Sequence, residues 1–243
     1  RLADRVLFVE EGAIVLDAPR DEACAWIERH RPDYAPAARL GAPPGRVPGD
    51  AVVRVDRASF SYGRVPVLDG VELEVRRGEV VALEGPNGSG KTTLAKLAAG
   101  LLEPASGTVT RSGRATYLSQ DPGRFLVKDR VDEEVAFGAG GDLERARRAL
   151  DAAGLGWAAA RHPRDLSSGE RERLALAAVA VSEPDLLVLD EPTRGVDPTR
   201  KRALVDWIHA NADAGRAVLV ATHDRSFPAS RLVALGAREA VLA

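Results

Sequence analysis

"LEGPNGSGKTTL", residues 83–94, joins an apolar run to a segment of good helix formers, and its reading decides the fold. Gly85, Gly90, Lys91 and Thr92 satisfy G-x-x-x-x-G-K-[ST], placed after the apolar run VVALE and before TLAKLAAGLL. The loop through Gly85, Pro86, Asn87, Gly88, Ser89 and Gly90 can curl so that backbone N–H groups converge on a phosphate. The helix that follows, with Thr93 in its first turn, adds the positive end of its dipole. Lys91 can reach β- and γ-phosphates, and Thr92 can ligate Mg²⁺. A strand, this loop and a helix in that order predict a P-loop NTPase core.

Working outward, short apolar runs alternate with helical patterns: VVRVD, VLDGVELEV and VVALEG, then helices at 142–153, 168–181 and 199–212, and the strands LLVLD and AVLVAT. Such alternation predicts an α/β fold with a mainly parallel sheet. In "LLVLDEPTRGVDP", residues 186–198, four apolar residues make a buried strand and Asp190 emerges at its C-terminal end. Ligands of open α/β sheets bind there. Asp190 can hold Mg²⁺ through its water shell, and Glu191 is placed to polarise an attacking water as general base. Alone, a strand-end Asp-Glu pair reads as a solvated turn. Lys91 and Asp190 together, in this order, make the nucleotide-site reading the stronger one. In "DLSSGERERLALAAVAV", residues 165–181, a Ser-Ser-Gly turn opens a helix. By itself Ser167 reads as an ordinary helix cap, although such an N-terminus is also ready for an anion.

The ordered set GPNGSGKT, Gln120 in "YLSQDP", LSSGE, LLVLDEP, GVDP and His223 in "VLVATHD" resembles the ATP-binding cassette (ABC) ATPases over residues 51–243. The resemblance implies the ABC ATPase fold, with an antiparallel β subdomain and a helical subdomain at about 121–180. It implies ATP and Mg²⁺ as the bound groups. Tyr62 in "FSYG" matches the aromatic that stacks on adenine, and Gln120 the residue that senses Mg²⁺ and the attacking water. Ser167, Ser168, Gly169 and Glu170 match the family signature, usually LSGGQ, with Ser168 in place of a glycine and Glu170 in place of glutamine. Asp197 matches the loop that crosses the interface between paired domains, and His223 the switch histidine at the γ-phosphate. In that family two domains pack head to tail, each ATP lying between one P-loop and the other signature. Ser167 is then expected to serve a nucleotide held by a second ABC ATPase domain. His30, His162 and His209 lack such context and are expected at the surface.

The chain opens on Arg1 and contains no Met. "DRVLFVEEGAIVLD" (4–17) aligns without gaps to "SRLVALGAREAVLA" (230–243), with Arg5/Arg231, Val15/Val241 and Leu16/Leu242 identical. Two generic hairpins could also look alike. The preferred expectation is that residues 1–18 are the tail of a preceding truncated domain of the same kind. Residues 19–50, with a short helix and six prolines, then form a linker, and 51–243 the ABC ATPase domain, ending in a hairpin.

Composition narrows the partners. With 45% hydrophobic and 29% charged residues and a net charge of −2, the chain reads as a soluble globular protein; non-specific nucleic-acid binding through a basic surface is not indicated, which leaves room for a local basic patch. The run LALAAVAV is too short to span a bilayer, and the single Cys24 gives no internal disulfide. Lys91 and Ser167 stand 76 residues apart with no cysteine between, unlike the DNA-repair and chromosome-maintenance branches of the resemblance. "THDRSF" resembles the ending of the translation-factor branch that acts on ribosomes, yet "DEPTRGVDP" differs from that branch's DEPTNHLD and the linker is shorter. The segment "YLSQDPGRFLVKDRVDEEVAFG" resembles energy-coupling factor (ECF) ATPases, which drive vitamin or metal uptake through separate membrane subunits. This implies a peripheral ATPase at the cytoplasmic face of the membrane, with Phe125, Leu126 and Val127 lining a groove for a transmembrane partner.

Overall fold

The computed structural model describes residues 5–10, 13–31, 47–120, 126–194, 196, 198–224 and 227–236. A hairpin of β1 (Arg5–Glu10) and β2 (Ala13–Pro19) leads into α1 (Arg20–His30). Next come β3 (Ala51–Tyr62), β4 (Val65–Arg76) and β5 (Val80–Glu84), followed by α2 (Lys91–Ala99), β6 (Ser106–Arg111) and β7 (Ala115–Leu118). Helices α3 (Val131–Gly138), α4 (Leu143–Ala152) and α5 (Ser168–Ala180) precede β8 (Leu186–Asp190), α6 (Pro198–Asp213), β9 (Ala217–Thr222) and β10 (Arg231–Ala234).

Two sheets share one core. The central sheet has the order β10-β5-β9-β8-β7, and all four pairings are parallel. Every residue of β8 and β9 is buried, as expected for parallel strands covered on both faces. The second sheet is antiparallel, in the order β4-β3-β6. Between the sheets lies α2, whose Leu94, Ala95, Leu97 and Ala98 pack with Val53 and Val75 on one side and Leu83, Val188 and Leu219 on the other. The opposite face of the central sheet, with Val80, Leu187, Leu189 and Val220, is covered by Leu176 of α5 and Leu204, Val205 and Ile208 of α6. A separate core of Val131, Val135, Ala146, Leu150, Leu174 and Val181 joins α3, α4 and α5. The α/β class, the parallel sheet and the antiparallel sheet are as expected from the sequence.

Of residues 230–243, read as a terminal hairpin, Arg231–Ala234 joins the central sheet parallel to β5, with Val233 opposite Leu83; the second strand of that hairpin falls outside the described residues. The Arg231 guanidinium helps to hold β10 there: Nε donates to Glu79 Oε1 at 2.7 Å, and Nη2 donates to the Glu74 carbonyl. Residues 237–243, and residues 32–46 of the expected linker at 19–50, lie outside the described residues.

Candidate functional site

The site is built where four parallel strands end. Leaving β5, the chain curls through the glycine-rich loop and enters α2, whose Ala, Leu and Lys content favours a helix. Gly90 caps that helix at φ 94°, a left-handed conformation suited to glycine, and a Cβ there would meet Leu68 Cδ2 at 2.6 Å. A Cβ on Gly85 would run into the Leu235 carbonyl and Ser89. Gly88, at φ 82°, faces open space. Pro86 accepts from the N–H of Ser89 at 3.2 Å, closing the turn across Asn87. Lys91 is buried, and its Nζ donates to the carbonyls of Gly85 at 2.7 Å and Pro86 at 3.1 Å. Thr93 is buried beneath the loop.

At the end of β8, Asp190 is 4% exposed and both its carboxylate oxygens are used. Thr92 Oγ1 donates to Oδ1 at 3.1 Å, and the Tyr117 hydroxyl donates to Oδ2 at 2.8 Å. Burial, and then the Asp190 bond and charge, push the Tyr117 hydroxyl well above the usual phenol range, so it stays a donor. The adjacent Glu191 has φ 50°, a costly conformation for a residue with a side chain. Its N–H donates to the Ala221 carbonyl of β9 at 2.8 Å. That backbone turn directs the side chain to the next strand end, where Glu191 Oε2 lies 2.6 Å from His223 Nδ1. With the carboxylate accepting, Nδ1 carries the proton.

Mg²⁺ can be tested against these donors. Thr92 and Asp190 offer hydroxyl and carboxylate oxygens side by side, the ligand type a hard cation prefers. Among the described residues no group of three or more His, Cys, Asp or Glu forms a metal cage. Mg²⁺ is typically bound through one or two carboxylates and completes its shell with phosphate and water, so the residues fit it. Ser89 Oγ, within the phosphate-binding loop, is buried with no hydrogen-bond partner.

The remaining predicted residues lie around this centre. Gln120 follows β7, and its side-chain oxygen accepts from Arg194 in the amide orientation that satisfies both groups. Tyr62, at the end of β3, is 49% exposed and packs edge-on against Phe60. Ser167 caps α5 in a capping box: its N–H donates to Glu170 Oε2 at 2.7 Å while its Oγ accepts from the Glu170 N–H. Those bonds hold the Glu170 carboxyl below its usual range. This explains the Glu at the signature's fifth place, since a capping box takes Glu or Gln there. Ser168 is exposed, whereas Gly169 is buried, with the Arg200 guanidinium so close that a Cβ there would meet it. A cavity of about 220 Å³ brings Gln120, Asp190 and Glu191 alongside Ser168 and Gly169, and no P-loop residue is among its described walls. Asp197 and Phe125 lie outside the described residues. Of the histidines expected at the surface, His30 is exposed, His162 caps a 3-10 turn through Nδ1, and His209 is half-buried.

Sequence reasoning missed Tyr117 and Arg194. Tyr117 stands in the quoted "YLSQDP", and its strand position, two residues short of the level of Asp190, was the available signal.

Comparison with known proteins places this geometry. Residues 68–194 match the family model described as ABC transporter. A protein of Methanosarcina mazei named "Putative ABC transporter ATP-binding protein" is 33% identical over 92% of this chain and 49% of its own length. One of the same name from Streptomyces avermitilis is 42% identical over 65% of this chain and 66% of its own. The solved structure of cbiO1 from Clostridium perfringens, described as part of the ABC transporter complex cbiONQ, superposes with a TM-score of 0.64 at 30% identity, over 72% of this chain and 79% of that one. The chain spans about half the length of curated relatives such as the Methanosarcina mazei protein.

Proposed function

We infer the function from one premise: the chain belongs to the ABC transporter family. We propose that it binds ATP with Mg²⁺ and hydrolyses it to drive transport through separate transmembrane subunits. The observation that carries this reading is convergence. The P-loop, the Thr92–Asp190 pair and the Glu191–His223 pair stand at the ends of β5, β8 and β9, which are neighbours in one sheet.

In the proposed reaction, loop N–H groups and Lys91 hold the β- and γ-phosphates, exchanging the loop carbonyls that Lys91 now bonds for phosphate oxygens. Tyr62 offers its exposed ring to adenine. Thr92, Asp190 and Gln120 would hold Mg²⁺, which when bound neutralises charge developing on the phosphate oxygens. Glu191 takes a proton from the attacking water. His223 orients that carboxylate and meets the γ-phosphate. Ser167, Ser168, Gly169, Glu170 and Asp197 would serve the nucleotide of a second ABC ATPase domain, supplied by a second copy or by another part of a longer chain.

The finer reading is an ECF-type motor at the cytoplasmic face of the membrane, powering uptake of a vitamin or metal ion. Its support is the 117–138 segment and the likeness to cbiO1. In the same reading, residues 1–18 belong to a preceding ABC domain, 19–50 form the linker, and about 121–180 make the helical subdomain. Among the described residues no helix is long and apolar enough to cross a membrane.

Glu191→Gln tests the chemistry. The variant should bind a fluorescent ATP analogue as wild type does, with turnover abolished in the full-length protein. Retained hydrolysis would remove Glu191 from the role of base. Capture of the full-length protein with polytopic membrane subunits supports the transport reading. Capture with ribosomes alone replaces it with the translation-factor one.

A further inference from the structure

We propose that Tyr117 is a positioning residue for the Mg²⁺–nucleotide site, locking the Asp190 carboxylate in one orientation; the proposal rests on the nucleotide-site reading above. The register makes this contact specific. Tyr117 sits opposite Val188 on the neighbouring parallel strand. Side chains two apart on a strand share a face, so Asp190 projects on the same side as Val188. The phenol ring packs against the core that includes Val188 and spans those two residues, bringing its hydroxyl to Asp190 Oδ2 at 2.8 Å.

The consequence is a division of labour between two oxygens. Oδ2 is satisfied by Tyr117, leaving Oδ1 toward Thr92, another proposed Mg²⁺ ligand, at 3.1 Å. Asp190 is nearly excluded from solvent, so water is poorly placed to replace the tyrosine. Without that hydroxyl a buried carboxylate oxygen loses a donor, and the group is free to turn toward any other. Partners that orient a metal ligand in this way commonly matter tenfold or more for metal affinity.

Tyr117→Phe isolates the effect, because it keeps the ring packed and removes one oxygen. Binding of a fluorescent ATP analogue would be followed by titration with MgCl₂, and in parallel in EDTA. Mn²⁺ binding in the presence of nucleotide, read by electron paramagnetic resonance, supplies a readout independent of turnover. The variant should need about tenfold more Mg²⁺ or Mn²⁺ for half-saturation, with nucleotide affinity in EDTA unchanged. An unchanged metal requirement overturns the proposal. Equal loss of affinity in EDTA also overturns it, because the ring would then shape the nucleotide pocket or the fold rather than orient Asp190. A wild-type chain that binds no nucleotide at any Mg²⁺ concentration would instead overturn the underlying reading, and that result is visible before any variant is made.

Discussion

Single residues at this site are held in left-handed conformations by their immediate neighbours. Gly90 combines φ 94° with van der Waals contact to β4, so two separate costs bear on any side chain there. The left-handed backbone alone costs a residue with a Cβ about 1–2 kcal/mol. Leu68, 2.6 Å from the added methyl, must also move, and it belongs to the core beneath the loop. Gly90→Ala should therefore lower stability to urea by at least that backbone cost. It should also abolish nucleotide binding, since the first turn of α2 and Lys91 shift with it. Unchanged binding of a fluorescent ATP analogue would show that the loop adapts. Gly90 was legible in the sequence because its pattern is local: glycine spacing followed by Lys-Thr. Tyr117 was not, since its partner is 73 residues away and the contact depends on register. The left-handed turn at Glu191 was equally hidden, being imposed by the bond to Ala221 and the reach to His223.

Elements were legible where burial leaves a mark on composition. The fully buried β8 and β9 read directly as LLVLD and AVLVAT. By contrast β6, with the sequence SGTVTR and hardly a buried side chain, forms by pairing with β3 and gives no apolar signal. The pairing of β10 with β5 was not legible, because the short run RLVA, with no fully buried residue, does not name its partner strand. For α5 the element and the proposed function meet at one cap. Ser167→Ala should cost on the order of 1 kcal/mol at neutral pH, the usual worth of a serine N-cap. Glu170 adds a pH dependence whose sign is fixed. Its folded-state pKa is depressed by the Ser167 bonds, so its contribution is complete above the ordinary glutamate value of 4.5 and is lost as pH falls through the folded value. Glu170→Gln keeps a capping side chain but cannot titrate. Relative to this variant, wild type should lose stability in acid below pH 4.5 and not above it, as thermal melts across pH would show. Identical acid limbs would mean the capping box contributes nothing through its charge.

At the scale of the whole molecule, the proposed machinery falls into two surfaces. Lys91 and the P-loop gather at the ends of β5, β9 and β8, whereas Ser167 and Ser168 stand exposed at the tip of α5. The cavity beside Ser168 brings Gln120, Asp190 and Glu191 near the signature but has no P-loop residue among its described walls, so the phosphate-binding loop and the signature do not meet there. A helix N-terminus favours an anion through its dipole, and a phosphate held in another domain is the ligand proposed for it. Two copies packed head to tail about a two-fold axis would satisfy both halves at once, each surface completing the other. The 243-residue chain should accordingly bind ATP as a monomer and hydrolyse it with a specific activity that rises with protein concentration. Complementation makes the test sharper. Lys91→Ala leaves a chain with a signature but no phosphate-binding lysine, and Ser167→Arg leaves the lysine and blocks the signature. Each variant alone should be inactive, because every site in its homodimer lacks one half. In the mixed pair, the P-loop of the Ser167→Arg chain meets the intact signature of the Lys91→Ala chain, and one complete site is rebuilt. Activity that appears only on mixing, in proportion to the heterodimer formed, requires the two surfaces to act on one nucleotide from different chains. No recovery on mixing, from variants shown by light scattering to associate, would place the phosphates and the signature in separate tasks.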